Sequence, residues 1–119
     1  MTTSTSAPAG PGRLRILVNG MCNFSYLGRT YFFADQMADF GGRTLSGSNI
    51  FTTVSGDQLY SVNNGPLAPP VNGVLAVGGD FTVTGGRGRF EHTGGQGTFG
   101  GTVNVAAQTG ANSWEGTLR

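Results

Sequence analysis

The stretch GVLAVGGDFTVT, residues 73–84, gives the clearest indication of the fold of this chain. Its apolar residues recur at alternate positions, as in a half-buried β-strand: Leu75, Val77, Phe81 and Val83. The pair Gly78-Gly79 in the middle indicates a bulge or a barrel corner, because glycine relieves strain where a strand bends. The stretch therefore predicts a long, bent strand with one face in a core.

Glycine divides the rest of the chain into similar pieces. Twenty-two glycines separate short runs that are rich in Val, Thr, Phe and Tyr, the residues that favour strands. Seven further runs have this composition: RLRILVN (13–19), NFSYLGRTYFF (23–33), RTLSGSNIFTTV (43–54), QLYSV (58–62), GRFEHT (88–93), GTFGGTVNVAA (97–107) and NSWEGTLR (112–119). The segment 34–42 between two of these runs is interpreted as a loop. The chain thus predicts about eight strands and almost no helix.

The strand pattern predicts an all-β fold, a single eight-stranded antiparallel β-barrel. Eight short strands in 119 residues fit one closed sheet whose interior is filled by side chains or holds one small ligand. A β-sandwich is the alternative, because length and periodicity do not separate the two well. Only 11% of the residues are charged, so exposed strand edges would risk pairing with other chains. That hazard favours a closed barrel or an oligomer.

The amino-terminal residues 1–12 differ in composition from the rest of the chain. They are mostly Thr, Ser, Ala, Pro and Gly, so we expect a flexible tail followed by one barrel domain at 13–119. The tail lacks the apolar run of a secretory signal, and no stretch approaches the ~18 apolar residues of a membrane span. We therefore expect no membrane partner and a cytoplasmic protein, or a secreted one if a signal peptide has been removed.

Charge and cysteine content exclude two further classes. The net charge is +1 and the seven basic residues, all arginines, are scattered, whereas a nucleic-acid partner requires a clustered basic face. One histidine and one cysteine exclude a zinc centre built from several such ligands, so we expect no metal and no cofactor. Cys22 is interpreted as an inert buried thiol, because no adjacent His or Lys would lower its pKa.

The tyrosines and the only histidine are the candidate catalytic residues. Tyr26, Tyr31 and Tyr60 could each donate a phenolic hydrogen bond to a substrate carbonyl, although tyrosine in a strand also packs half-buried with its hydroxyl in water. His92 has an ordinary pKa of ~6.5, which suits proton transfer. Its neighbour Glu91 would point to the opposite face of a strand, so the two could not easily act on one atom. An ordinary surface position is the alternative for both.

Apolar and aromatic residues are the candidate ligand-binding residues. Methionine supplies an adaptable apolar lining, and a tryptophan presents a large flat wall to a ligand, although both residue types also fill cores without further function. The substrate-binding candidates are Met21, Phe33, Met37, Phe81 and Trp114.

Four motifs carry a resemblance to a known family: FTVTGGRGRFEHTGGQGTF (81–99), SWEGTL (113–118), NFSYLGR (23–29) and SGDQLY (55–60). Together they resemble landmarks of the allene oxide cyclase and dirigent-type β-barrel superfamily, in particular its small bacterial members, over residues 13–119. The resemblance implies an eight-stranded barrel, often dimeric or trimeric, whose cavity binds an apolar molecule. Plant members guide a ring closure or a radical coupling, and some bacterial members are polyketide cyclases that catalyse intramolecular cycloaddition.

The chain also departs from the family pattern. Tyr26 stands where members usually have a histidine, and Glu91 and His92 stand where the glycine signature usually continues with small residues. We expect these two ionisable side chains at the barrel rim.

Sequence and resemblance together predict a cofactor-independent cyclase or isomerase. It would bind a flexible, mostly apolar, polyketide-like substrate and promote intramolecular ring closure by confinement and hydrogen bonding, which need little acid–base apparatus. A non-catalytic binder of small apolar ligands, or a purely structural barrel, is the alternative. Sparse charge and the resemblance also predict a homo-oligomer, with a trimer preferred.

Overall fold

A computed structural model of the chain describes residues 2–25 and 27–118. The described residues form eight strands and one three-residue 3-10 helix: β1 (Thr2–Gly10), β2 (Arg13–Phe24), β3 (Gly28–Asp39), β4 (Thr44–Thr53), β5 (Gln58–Pro66), β6 (Val74–Arg87), the 3-10 helix (Gly88–Phe90), β7 (Gly95–Asn104) and β8 (Thr109–Leu118). Each strand pairs antiparallel with the next, and β8 pairs with β1, so the sheet closes into a barrel. The predicted eight-stranded antiparallel barrel is confirmed.

The alternation of side chains determines the barrel interior. In β6, Leu75 and Val83 are buried, and Val77 and Phe81 pack against the same core. The even-numbered residues face inward in β2 and β3, and the odd-numbered ones in β4 and β5. The core is a single cluster of buried side chains: Ile16, Val18, Phe32, Ala34, Ala38, Leu45, Phe51, Leu59, Leu67, Leu75, Val83, Phe90 and Val103. One face of every core strand is thus removed from water, which is the main source of stability in such a sheet.

Four segments differ from the sequence prediction. Thr2–Gly10 forms β1, where composition predicted a flexible tail. The run 88–93, predicted as a strand, is instead a 3-10 helix and a turn, in which Phe90 is buried and His92 has a left-handed φ of 65°. The run 23–33, predicted as one strand, covers the end of β2 and the first half of β3, and the segment 34–39, interpreted as a loop, is the second half of β3. The barrel therefore has the expected number of strands, but β1 is one of them and 88–93 is not.

The Gly78-Gly79 pair lies at a close approach between the main chains of β5 and β6. A Cβ added at Gly65 would collide with the carbonyl oxygen of Gly78, and one added at Gly79 would collide with that of Asn64. The irregularity in pairing lies elsewhere: Tyr60 pairs with Gly85 and the next residue of β5 pairs with Val83, which makes Thr84 the extra residue of a bulge. The glycine pair thus allows a close backbone approach, while the predicted bulge occurs at Thr84, further along β6.

Candidate functional site

The barrel closes through very few residues between its first and last strands. Only Thr2 and Thr3 of β1 pair with β8, opposite Gly110 and Thr109. The pairing of β1 with β2 begins at Thr2, opposite Gly20. Beyond this level β2 continues to Phe24 and β8 to Leu118, and no described residue pairs with either strand across the space between them. We call this opening, between 21–24 and 111–118, the seam.

A cavity lies directly behind the seam. Its volume is about 510 Å³, within the range of sites that hold small molecules. Apolar side chains supply most of its walls: Met21, Cys22, Phe24, Leu27, Phe51, Leu59, Phe81, Val83, Trp114 and Leu118. We call it the seam cleft. Because its lining comes from both sides of the seam, a molecule could enter it through the wall of the barrel.

Trp114 forms the floor of the seam cleft. Its ring stacks on Phe99 with centroids 4.9 Å apart, and it meets Phe51 and Phe81 edge to face at 5.4 and 5.2 Å. Its Nε1 donates a hydrogen bond of 3.0 Å to Oδ1 of Asn112, which satisfies the only polar atom of the indole. On the other side of the ring the interior is nearly filled, with a cavity of only about 40 Å³. Trp114 therefore divides an open end of the barrel from a packed one.

A buried polar network lies in the packed end. Gln36 Nε2 donates to Oδ1 of Asn49 (3.0 Å) and of Asn63 (2.9 Å), and Asn63 Nδ2 donates back to Oε1 of Gln36 (2.9 Å). Asn49 Nδ2 donates to Oδ1 of Asn63 (2.8 Å) and to Oγ of Ser61 (3.0 Å). Ser61 also lines the seam cleft, so the network reaches the candidate site.

The residues of this network are not among the site residues predicted from the sequence. The available signal was positional: Gln36 shares its strand face with Phe32 and Ala34, and Asn49 shares its face with Phe51. Amide side chains at inward positions of otherwise apolar strand faces must find partners, because an unpaired buried amide is costly.

Cys22 is the one titratable side chain among the described residues that line the seam cleft. Burial raises the pKa of its thiol, so it is neutral at neutral pH. The cleft can therefore bind, orient and donate hydrogen bonds, but its described lining offers no acid–base pair for proton transfer.

Three of the predicted substrate-binding residues line the seam cleft, namely Met21, Phe81 and Trp114. Met21 does so at the rim, where 43% of it is exposed. The other two, Phe33 and Met37, lie on the outer face of β3 together with Tyr31, because Phe32, Ala34 and Gln36 of the same strand face inward. These three outward residues therefore do not contribute to the cleft.

The structure brings Tyr60 and His92 together at a different place. Both line a shallow outer groove of about 630 Å³ beside Gly85 and Gly86 of β6. Tyr60 Oη donates a hydrogen bond of 2.7 Å to Oε1 of Gln58, and the exposed His92 Nε2 lies 3.5 Å from Oε1 of Glu91. Tyr26, the remaining catalytic candidate, lies outside the described residues.

Comparison of the chain with family models, with curated proteins and with solved structures finds no match. The resemblance to the allene oxide cyclase and dirigent-type barrels stays a prediction. No group of three metal-binding side chains occurs within residues 2–25 and 27–118. In the same part of the chain, no helix has the length and apolar character of a membrane span.

Proposed function

We propose that this protein binds a flexible, mostly apolar small molecule in the seam cleft and promotes its ring closure by confinement. The observation that carries the proposal is the cleft itself, a cavity of about 510 Å³ that opens through the barrel wall and is lined by aromatic and aliphatic side chains together with several uncharged polar ones. A chain folded into this space would lose much of its conformational freedom before it reacts. Holding reactive ends in a near-attack geometry can lower a barrier by several kcal/mol without any proton transfer.

Ser61 is the side chain best placed to assist such a reaction. It is buried, it lines the cleft, and its Oγ accepts a hydrogen bond from Asn49. Because that bond uses a lone pair of the oxygen, the hydroxyl proton is left to donate to a carbonyl of the bound molecule. A fixed donor to a polarised carbonyl stabilises the charge that develops in a ring closure of cycloaddition type.

The sole tryptophan makes binding directly measurable. Trp114 forms the floor of the cleft, so its fluorescence should change when a linear polyene with a conjugated diene and an activated alkene is added. Loss of diene absorbance at saturation would report ring closure. Val83→Phe, which fills the cleft, should weaken binding at least tenfold, whereas Val62→Phe on the outer face of β5 should leave it unchanged.

Ser61→Ala separates catalysis from binding. We expect it to slow diene loss by about 10²-fold while polyene affinity changes by less than threefold. Binding without diene loss in the unmodified protein would favour the alternative, a non-catalytic binder of small apolar ligands. Absence of any tryptophan response would exclude the cleft as the binding site.

The homotrimer and the cytoplasmic location stay predictions. The outer face of β3 carries two aromatic side chains, the half-exposed Tyr31 and the partly exposed Phe33. Both are more apolar than is typical of side chains on a surface that faces water. Light scattering at micromolar concentration would measure the oligomeric state, and a monomer would contradict the prediction.

A further inference from the structure

We propose that the buried network of Gln36, Asn49 and Asn63 has two hydrogen-bonding arrangements, and that the change between them lets Ser61 offer the seam cleft either a proton or a lone pair. The cleft therefore takes chains that carry a hydrogen-bond donor, such as a hydroxyl or a pyrrole N–H, as well as chains that carry a carbonyl. The inference rests on the proposed function, since it concerns the same cleft and extends the class of ligand that Ser61 contacts. The observation that carries it is the pattern of donors and acceptors among these four buried side chains.

The first arrangement is the one that the structure shows. Gln36 Nε2 donates to Oδ1 of Asn49 and to Oδ1 of Asn63, and Gln36 Oε1 accepts from Asn63 Nδ2. Asn49 Nδ2 also donates twice, to Oδ1 of Asn63 and to Oγ of Ser61. Because Ser61 accepts a hydrogen bond in this arrangement, its own proton is available to the cleft that it lines.

The second arrangement is reached by rotating all three amide groups by half a turn. The rotation exchanges the oxygen and the nitrogen of each amide, so donors become acceptors while the heavy-atom positions are kept. Each of the five contacts is then made in the opposite direction. In particular, the Ser61 hydroxyl donates to Oδ1 of Asn49. Ser61 has thereby used its proton within the network, and it presents lone pairs to the cleft.

Mixed arrangements are strongly disfavoured. Rotating Asn49 alone would place its Nδ2 against Nε2 of Gln36 and its Oδ1 against Oδ1 of Asn63, at separations of 3.0 and 2.8 Å. Two donors or two acceptors at such separations repel each other, and buried polar groups without partners keep their desolvation cost. The three amides therefore reverse together, as one element with two states.

The group that the ligand places beside Ser61 selects the arrangement. The four side chains are uncharged, and the two arrangements make the same number of hydrogen bonds among them. A carbonyl oxygen in the cleft favours the first arrangement and a donor proton favours the second, because a ligand shifts an equilibrium toward the state that it binds more tightly. One serine can thus serve a flexible chain that has carbonyls at some positions and hydroxyls at others.

Two probes of similar shape separate the arrangements. A hexyl-substituted cyclopentanone only accepts hydrogen bonds, and the N–H of a hexyl-substituted pyrrole only donates. Trp114 fluorescence measures the binding of each, and we expect their affinities for the unmodified protein to agree within tenfold. In NMR spectra, the Nδ2 protons of Asn49 should show contacts to the β protons of Ser61 in the ketone complex. In the pyrrole complex these contacts should be replaced by contacts to the side chain of Gln36.

A matched pair of variants should bias the network in opposite directions. Asn49→Asp and Asn63→Asp each replace an amide by a carboxyl group of the same size. Burial raises the pKa of such a carboxyl, so at about pH 5 each is protonated and offers one donor where the amide had two. Asn63 donates once in the first arrangement and twice in the second, so Asn63→Asp keeps all five hydrogen bonds only in the first. Asn49 donates twice in the first and once in the second, so Asn49→Asp keeps them only in the second.

The ratio of ketone affinity to pyrrole affinity is the decisive quantity. It should rise at least threefold in Asn63→Asp and fall at least threefold in Asn49→Asp, which is the effect of one hydrogen bond gained or lost. A shift in the same direction in both variants, or in neither, would overturn the proposal. If either variant fails to fold, the NMR contacts in the unmodified protein decide the question, and identical contacts in the two complexes would overturn it.

The remaining outcomes distinguish this inference from the proposed function. Binding of the ketone alone would show a network fixed in the first arrangement, which overturns the inference and leaves the proposed function standing. Binding of the pyrrole alone would overturn the inference and also the role of Ser61 as a donor in ring closure. Binding of the linear polyene but of neither probe would overturn the inference alone, and binding of none of the three would overturn both.

Discussion

The two ends of the barrel are completed in different ways. At the packed end β1 lies between β2 and β8, the interior holds the Gln36–Asn49–Asn63 network, and the remaining cavity is about 40 Å³. At the open end no described strand fills the seam, and the interior is an apolar cleft of about 510 Å³. The same sheet therefore uses one end to stabilise the fold and leaves the other with unsatisfied surface. Ligand-binding regions are commonly drawn from the parts of a fold that contribute little to global stability.

The largest effect should come from breaking the network in the packed end. Asn63→Leu keeps the side-chain volume similar but leaves Oε1 and one N–H of Gln36 and one N–H of Asn49 without their Asn63 partners. We expect a loss of about 2–3 kcal/mol in the free energy of unfolding, because unpaired buried polar groups keep their full desolvation cost. Urea denaturation would measure it.

The neighbouring residue supplies the control. Asn64 faces solvent on the same strand, so Asn64→Leu should change the free energy of unfolding by less than about 0.5 kcal/mol. Similar losses in the two variants would mean that the network contributes no more than an exposed asparagine does.

Two glycines of β7 test the open end. A Cβ at Gly97 would lie 2.6 Å from Cα of Gly116 and 2.7 Å from the Phe81 ring, whereas a Cβ at Gly100 would meet its nearest atom at 3.8 Å. Gly97→Ala must push β8 or Phe81 aside, and we expect it to cost about 1–2 kcal/mol. Gly100→Ala should be neutral or slightly stabilising. Thermal unfolding compares the two, and equal melting temperatures would show that β8 shifts freely at the seam.

The number of strands and the segments of six of them could be predicted from the sequence, but β1, the bounds of β3 and the turn at 88–93 could not. Six runs of alternating or β-branched residues identified β2 and β4 to β8 near their observed bounds, because inward residues such as Leu75 and Val83 repeat with period two. β1 could not be predicted because its sequence has no apolar alternation: only Thr2 and Ser4 are buried. The strand is held mainly by its eight residue pairs with β2. The run 88–93 has strand-like composition but does not form a strand. Phe90 is its one buried residue, and the main-chain amide of Arg89 donates a hydrogen bond to Asp57.

The site was predictable only in part for a similar reason. Phe81 and Trp114 could be selected because large aromatic residues in strands usually fill an interior. Phe32 alternates with Tyr31 and Phe33 along β3, so either the face of Phe32 or the face of Tyr31 and Phe33 had to point inward. The charged Asp35 lies on the face of Tyr31, and it was the available signal that this face meets water. The seam could not be predicted, since it depends on how far β1 extends between two strands that are distant in sequence.

The reactivity of the Cys22 thiol measures access to the seam cleft without a substitution in the cleft. Burial raises the pKa of its thiol above the ordinary 9.0, so the reactive thiolate is scarce at pH 8. We expect alkylation by iodoacetamide to be about tenfold slower than at a cysteine placed at Val62 on the outer face of β5, in the Cys22→Ser background. The rate should still be rising above pH 9, and the linear polyene should slow it further. Equal rates at the two positions would mean that the cleft wall does not shield the thiol.

The smallest effect concerns a surface ion pair in the part of β2 and β3 remote from the seam. Arg15 donates from Nε and Nη2 to the two carboxylate oxygens of Asp35, at 3.0 and 2.7 Å, on the outer face of the sheet. The hydrogen bonds and charge of Arg15 hold the pKa of Asp35 below its ordinary value of 3.8. A carboxyl group with a lowered folded pKa stabilises the fold above its unfolded pKa, and that contribution is lost as the pH falls through the folded value.

Arg15→Gln should therefore raise the pKa of Asp35 toward 3.8 in carboxyl-detected NMR titrations. The difference in unfolding free energy between the two proteins should be constant from pH 7 down to about pH 5 and vanish at lower pH, as Asp35 becomes protonated in both states. The difference should be small, because both side chains are exposed and solvent screens the pair. Polyene affinity should not change, since Arg15 and Asp35 lie outside the seam cleft. A change in affinity would show that the two ends of the barrel are energetically coupled, which the division by Trp114 argues against.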